Sequence, residues 1–277
     1  MTRMHFAVSI GYLAQPALPG WSVHSSFDNA VNLCRAGDRQ MLALVSERYP
    51  DGPSAVRIAA PVGWGRCFQR GQTIALRNGV LCAEGVRDAA IGMRGARIWS
   101  RPDLPCGRVI EDAGCRLESL TGLLGQQQAW LMTSAEAEMP DNTDALSALV
   151  GMGQGLTPAG DDFLVGYLCL GRVFAAMGDR PRVELNRLAG SLRRRLCRTG
   201  DISEHHLRLA LDGHFNSALC DLRSAMFQPA ANYGSIRLAA SDLAAIGASS
   251  GRDTLAGVAA AFRRFAAFTV HAYAGVS

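Results

Sequence analysis

One stretch constrains the chain more than any other: Gly151-Met152-Gly153-Gln154-Gly155-Leu156-Thr157-Pro158-Ala159-Gly160-Asp161-Asp162-Phe163-Leu164-Val165-Gly166. Five glycines and one proline fall within it. Glycine costs backbone entropy and proline removes a donor, so no regular helix or strand carries that density. An apolar run from Phe163 to Met177 follows at once. The stretch therefore reads as a loop feeding a helix, with Asp161 or Asp162 expected at the N-cap. A helix start offers free N–H groups and a partial positive charge, which suits an anion.

The pattern has a second copy. Ser250-Gly251-Arg252-Asp253-Thr254-Leu255-Ala256-Gly257 aligns with Ala159 to Gly166, and both read small-Gly-x-Asp-x-Leu-x-Gly ahead of an apolar helical run. Asp162 with Gly166, and Asp253 with Gly257, lie on one helix face because residues four apart are neighbours there. Glycine at the second position of each pair lets another backbone come close. The spacing predicts two helices crossing near Gly166 and Gly257, with their starts converging on a polar or anionic substrate.

Asp162, Asp253 and Asp161 are the candidate catalytic residues. Gly155, Thr157, Pro158, Gly160, Ser203, Ser249, Ser250 and Gly251 are the candidate substrate-binding residues, with Thr157, Ser249 and Ser250 supplying hydroxyl donors. The plainer alternative is that the aspartates only cap helices, each contributing ~1 kcal/mol. Asp161 and Asp162 could instead hold Mg²⁺ with a phosphate-bearing substrate. Adjacent carboxylates on a helix point roughly 100° apart, which favours one capping and one facing the site. No other cofactor or metal is expected. Thr199-Gly200-Asp201-Ile202-Ser203-Glu204-His205-His206 offers a histidine acid or base, or an ordinary helix cap.

Composition removes several classes. All 28 basic residues are arginine, which excludes a Schiff-base lysine and a Walker lysine. No G-x-x-x-x-G-K-[ST] and no glycine loop after a βαβ strand is present, so P-loop and Rossmann readings fail. A net charge of +4 and an arginine cluster at 193–195 spread around a helix do not suggest nucleic acid. The eight cysteines form no C-x-x-C and no zinc spacing, and they read as reduced thiols of a cytoplasmic protein. Neither a signal peptide nor a membrane span is expected.

Short apolar runs separated by turns read as strands: His5–Tyr12, Met41–Val45, Ala55–Ala60, Thr73–Leu76 and Gly79–Ala83. Asn78-Gly79 suggests a tight hairpin. Ser26 to Leu33 is either a short helix or a strand entry. Without long crossover helices the sheet should be antiparallel, open or closed into a barrel. Trp99 to Pro105 is the expected boundary. Beyond it come Leu117–Leu131, Ala145–Val150 capped by Asn142-Thr143-Asp144, and the helix after the main loop. Val183–Arg198 follows with Pro181 early, then Leu207–Leu211, then Phe215–Phe227 stopped by Pro229. A short helix capped by Ser241-Asp242 and a last helix from Thr254 to about Ala274 complete the chain. The fold class is α+β: a small antiparallel β-sheet or barrel over 1–105, then an all-α domain over 106–277 carrying the twin loops.

At the main loop, Gly155-Leu156-Thr157-Pro158-Ala159-Gly160-Asp161-Asp162-Phe163-Leu164-Val165-Gly166 resembles the G-L-T-P-S-G-D-D-x-L-x-G signature of the AllH family. Ser26-Phe27 with Ala30-Val31-Asn32, Ile202-Ser203 with Leu207, Ala210 and Gly213, and Ser249-Ser250-Gly251 with Asp253, Leu255 and Gly257 add matches in the expected order. Ala159 departs from the family's usual serine, which shifts the donor role to Thr157 or to backbone N–H groups. The resemblance implies a subunit of an oxamate carbamoyltransferase, exchanging oxalurate and phosphate with oxamate and carbamoyl phosphate in anaerobic allantoin and purine breakdown. It also implies partner subunits, one of them resembling acyl-CoA synthetase subunits. It does not say which subunit carries the chemistry, so a non-catalytic structural or regulatory partner, or a small-carboxylate sensor, stays open.

Overall fold

The computed structural model describes residues 4–37, 40–85, 90–104, 112–136, 143–228 and 233–273, with side chains described outside 134–136 and 267–273. The expectations that touch Pro105, Cys106, Asn142, Pro229 and Ala274 lie outside these residues. The chain divides into two compact units, Met1–Arg101 and Pro102–Ser277.

The first unit holds nine strands among its described residues: β1 Met4–Gly11, β2 Trp21–Ser26, β3 Ala30–Arg35, β4 Met41–Ser46, β5 Ala55–Ala59, β6 Thr73–Arg77, β7 Val80–Ala83, β8 Ala90–Gly92 and β9 Arg97–Trp99. Their order is β5-β4-β3-β2-β6-β7-β8-β1-β9, and a further β5–β1 pairing closes eight of them into a barrel. Closure leaves no open edge between these strands. The expectation of a purely antiparallel sheet is corrected, because β4 runs parallel to β5 and β1 runs parallel to both β8 and β9. Long helices are not the only route to a parallel pair: β4 and β5 are joined by a short loop through Asp51-Gly52-Pro53.

Alternation sets the barrel interior. In β1, His5, Ala7 and Ser9 are buried while Met4, Phe6 and Val8 face outward and are exposed. Val23, Leu33, Leu44, Ile58, Ile74 and Ile91 fill the inside. Trp64 and Phe68 meet edge-to-face at 5.7 Å. Asn78 and Gly79 both take positive φ, the geometry that a two-residue hairpin between β6 and β7 requires. Ser26 to Leu33 is strand, turn and strand rather than helix. Asp51 is a buried carboxylate rather than a plain turn residue: Ser9 donates to it, and Arg97 and Arg57 reach it at 2.6 and 3.3 Å. Burial pushes its pKa up, but these partners outweigh that and hold it below the ordinary value.

The second unit is helical: α1 Ala113–Thr121, α2 Gln126–Glu136, α3 Thr143–Ala148, α4 Ala159–Met177, α5 Asp179–Arg195, α6 Asp201–Leu211, α7 Ser217–Phe227, α8 Tyr233–Ala244 and α9 Ser250–Tyr273. The expected single helix over Leu117–Leu131 is two, broken where Gly122 and Gly125 sit. Ser241 and Asp242 lie inside α8 and cap nothing. α4 and α9 are the central pair, with α5, α6 and α7 around α4 and α1, α2 and α8 around α9. Phe174 binds the pair together, its ring 6.0 Å from Phe262 and 5.7 Å from Phe265. α4 buries almost every side chain from Phe163 to Phe174, so it runs through the core rather than along the surface.

Candidate functional site

The crossing of α4 and α9 is set by two glycines. A Cβ on Gly166 would lie 1.9 Å from the Thr254 carbonyl oxygen, and one on Gly257 would lie 1.8 Å from that of Phe163. Each glycine thus receives the other helix's backbone, as the repeated spacing predicts. The relation extends outward. A Cβ on Gly160 would strike the Leu149 carbonyl oxygen at 2.1 Å, and one on Gly251 the Leu243 carbonyl oxygen at 1.9 Å. In both copies the loop glycine admits the end of the preceding helical segment, and the later glycine admits the partner helix. Gly160 and Gly251 are therefore packing positions.

Neither aspartate of the first copy is an N-cap, which corrects that expectation. Pro158 is the cap residue of α4, with φ −55° and ψ 145°. The N–H groups of Asp161 and Asp162 donate to its carbonyl at 2.9 and 3.1 Å. Proline's fixed φ opens the helix early, so the two aspartates occupy its first turn, where they still oppose the helix dipole. Asp253 occupies the matching turn of α9, its N–H donating to the Ser249 carbonyl at 3.0 Å.

Asp161 is 1% exposed, and its carboxylate accepts three hydrogen bonds. These come from the Gly151 N–H at 2.8 Å, from the Ser203 hydroxyl at 2.7 Å and from the Thr199 hydroxyl. It ties the start of the glycine loop to the α5–α6 junction. Ser203, also 1% exposed, belongs to this clamp. Among the described residues, no group of three His, Cys, Asp or Glu side chains could hold a metal ion.

Asp162 is different. Its pKa is pushed up to about 7, first by burial. The hydroxyls of Ser250 and Thr157 bond to it and pull the value down, while the charges of Asp253 and Asp161 push it up. Thr157 and Ser250 also meet each other at 2.9 Å, which joins the two loops. Asp253 is fully buried, and its Oδ1 accepts from the Gln128 amide at 2.7 Å. Both Asp162 and Asp253 keep a buried Oδ2 without a hydrogen-bond partner. Each sits four residues before its crossing glycine, and the charge of Asp253 acts on Asp162, so the two carboxylates lie near each other at the start of the crossing.

The remaining candidates scatter. Met152 to Leu156, including Gly155, are exposed, and Gly151, Gly153 and Gly155 all take positive φ. Nothing lies within 4 Å of where a Gly155 Cβ would be. Ser249 contributes its carbonyl to α9. His205 has its pKa lowered to about 3, mainly by burial and further by His206 and Arg208, so near neutral pH it is uncharged and no proton donor. Gln128 was not foreseen, whereas Thr199 stands in the stretch already singled out at 199–206. Gln128 reads as half of a capping box, its side-chain oxygen accepting from the Gly125 N–H at 3.2 Å. That local pattern is visible in sequence, but its bond to a residue 125 positions away is not.

No helix among the described residues is long and apolar enough to cross a membrane. Residues 149–262 match the family model for oxamate carbamoyltransferase subunit AllH, and residues 6–98 match that for the AllH family N-terminal domain. No curated protein and no solved structure matches the chain significantly.

Proposed function

The chain belongs to the AllH family, and we propose that it is a cytoplasmic subunit of an oxamate carbamoyltransferase complex. In the proposed reaction, oxalurate and phosphate are interconverted with oxamate and carbamoyl phosphate, in the breakdown of allantoin and purines. The partners would be the other transferase subunits, including one resembling acyl-CoA synthetases. The observation that supports a site in this chain is the closeness of Asp162 and Asp253 where α4 and α9 cross at Gly166 and Gly257.

The chemistry asks for a proton at one atom. A phosphate oxygen attacks the carbamoyl carbon of oxalurate, a C–O bond forms, and the C–N bond to the oxamate nitrogen breaks. The leaving nitrogen must gain a proton. Asp162, with its pKa near 7, holds a proton in a large fraction of molecules at neutral pH, and a general acid works best in that range. It gives that proton to oxamate and retrieves one in the reverse direction. The Thr157 and Ser250 hydroxyls bond to Asp162 and to each other, which joins the two loops.

The test is the complex assembled from this chain and its partner subunits, assayed for carbamoyl phosphate from oxalurate and phosphate. Asp162→Ala and Asp253→Ala should each lower turnover at least a hundredfold while assembly and circular dichroism stay unchanged. Full activity in both variants would move the chemistry to another subunit and leave this chain a structural partner.

A further inference from the structure

Resting on that reading of the site, we infer that Asp162 and Asp253 are specificity residues that accept hydrogen bonds from the nitrogen end of the substrate, its primary amide or carbamoyl NH₂. Its anionic end then lies away from the two helix starts. Asp162 is mostly buried and Asp253 fully so; Oδ1 of Asp253 is held by Gln128, and Oδ2 of each has no donor. A buried acceptor without a donor is costly, and two on neighbouring carboxylates are an incomplete acceptor pair. An NH₂ group carries two donors on one atom, which suits two neighbouring acceptors.

Charge argues the same way. Helix starts attract anions, but these two already carry Asp161, Asp162 and Asp253 in their first turns. A further anion there meets carboxylates rather than free dipoles. An N–H donor meets acceptors. Gln128 is the positioning residue: its oxygen is fixed on Gly125, and its amide fixes Oδ1 of Asp253, which leaves Oδ2 as the free acceptor.

The probes are oxamate, oxalate and inorganic phosphate, titrated into the full chain and into its complex with the partner subunits by calorimetry. Oxamate and oxalate share size and carboxylate, and only oxamate has an NH₂. Oxamate should bind about tenfold or more tighter than oxalate, the discrimination expected of hydrogen bonds to a charged acceptor. In Asp253→Asn, where a donor replaces an acceptor, the preference should vanish or invert. In Gln128→Ala the ratio of the two affinities should fall, a change that loss of packing alone does not produce. Equal binding of oxamate and oxalate overturns the inference. So does an unchanged preference in Asp253→Asn. Binding of neither probe also overturns it, since the two oxygens then share only a proton. If oxalate and oxamate bind alike while Asp162→Ala abolishes turnover, the proposed reaction survives and this inference falls. If the preference depends on Asp253 while both alanine variants turn over at the wild-type rate, the nitrogen-binding site stands and the reaction is assigned elsewhere.

Discussion

The two loop–helix copies share a backbone and divide their side-chain work. In both, a glycine under the incoming helix end and a glycine at the crossing make room for backbone. The residue between them differs: Asp161 in the first copy is buried with three donors, whereas its counterpart Arg252 is exposed. The next residue is aspartate in both, yet Asp162 rests on the hydroxyls of the two loops and Asp253 on Gln128 from α2. The repeat therefore preserves the positions that permit a close crossing and one acid per helix. What surrounds each acid is unique to its copy.

The largest effect should come from breaking what the copies share. Gly166→Ala and Gly257→Ala each set a methyl against a backbone oxygen, which no rotamer change relieves. Each should destabilise the helical unit by about 4 kcal/mol or more, seen as loss of its cooperative thermal transition. If one is tolerated and the other is not, the crossing is less symmetric than the paired distances indicate.

Next comes the position where the copies part. Asp161→Ala strands the Gly151 N–H and the Ser203 and Thr199 hydroxyls, at a cost of about 3–5 kcal/mol in urea denaturation. Arg252→Ala should stay within about 0.5 kcal/mol. Equal effects would erase the distinction between the copies.

A pH profile tests Asp162, the matching acid of the first copy. The folded pKa of Asp162 is about 7 against an ordinary 3.8, so the folded state holds a proton that the unfolded state releases over that range. Its contribution to stability is complete below pH ~4 and lost as pH rises through ~7, at most about 4 kcal/mol in all. Asp162→Asn should flatten that slope and be more stable than the wild type above pH ~7. An unchanged slope would place the buried proton on another group.

The smallest effect belongs to the link between the loops. Thr157→Val and Ser250→Ala should each cost ~1 kcal/mol, and the double variant less than their sum, because each removes the same 2.9 Å bond.

What the sequence made legible follows from range. Gly166 and Gly257 were readable because an i, i+4 spacing and a missing side chain are local facts. Most strands of the barrel were too, since apolar alternation marks them. β8 and β9, three residues each, are below the length at which alternation means anything, and the parallel pairings with β1 depend on them. The roles of the aspartates were hidden for a related reason. Whether a first-turn acid caps, clamps or faces a substrate depends on Thr199, Ser203 and Gln128, which reach it from other helices.

The closing of the barrel has a consequence in time. β1 pairs with β5 along one edge and with β8 and then β9 along the other. During synthesis, the first strand made waits for partners about fifty and about ninety residues later, with Phe6 and Val8 exposed beside unpaired amides. Nonlocal closure of this kind slows folding and prolongs the interval in which a strand edge can pair with another chain. The barrel therefore has its greatest exposure to aggregation before Arg97–Trp99 leaves the ribosome, and nascent chains halted ahead of that strand should be the ones that chaperones hold.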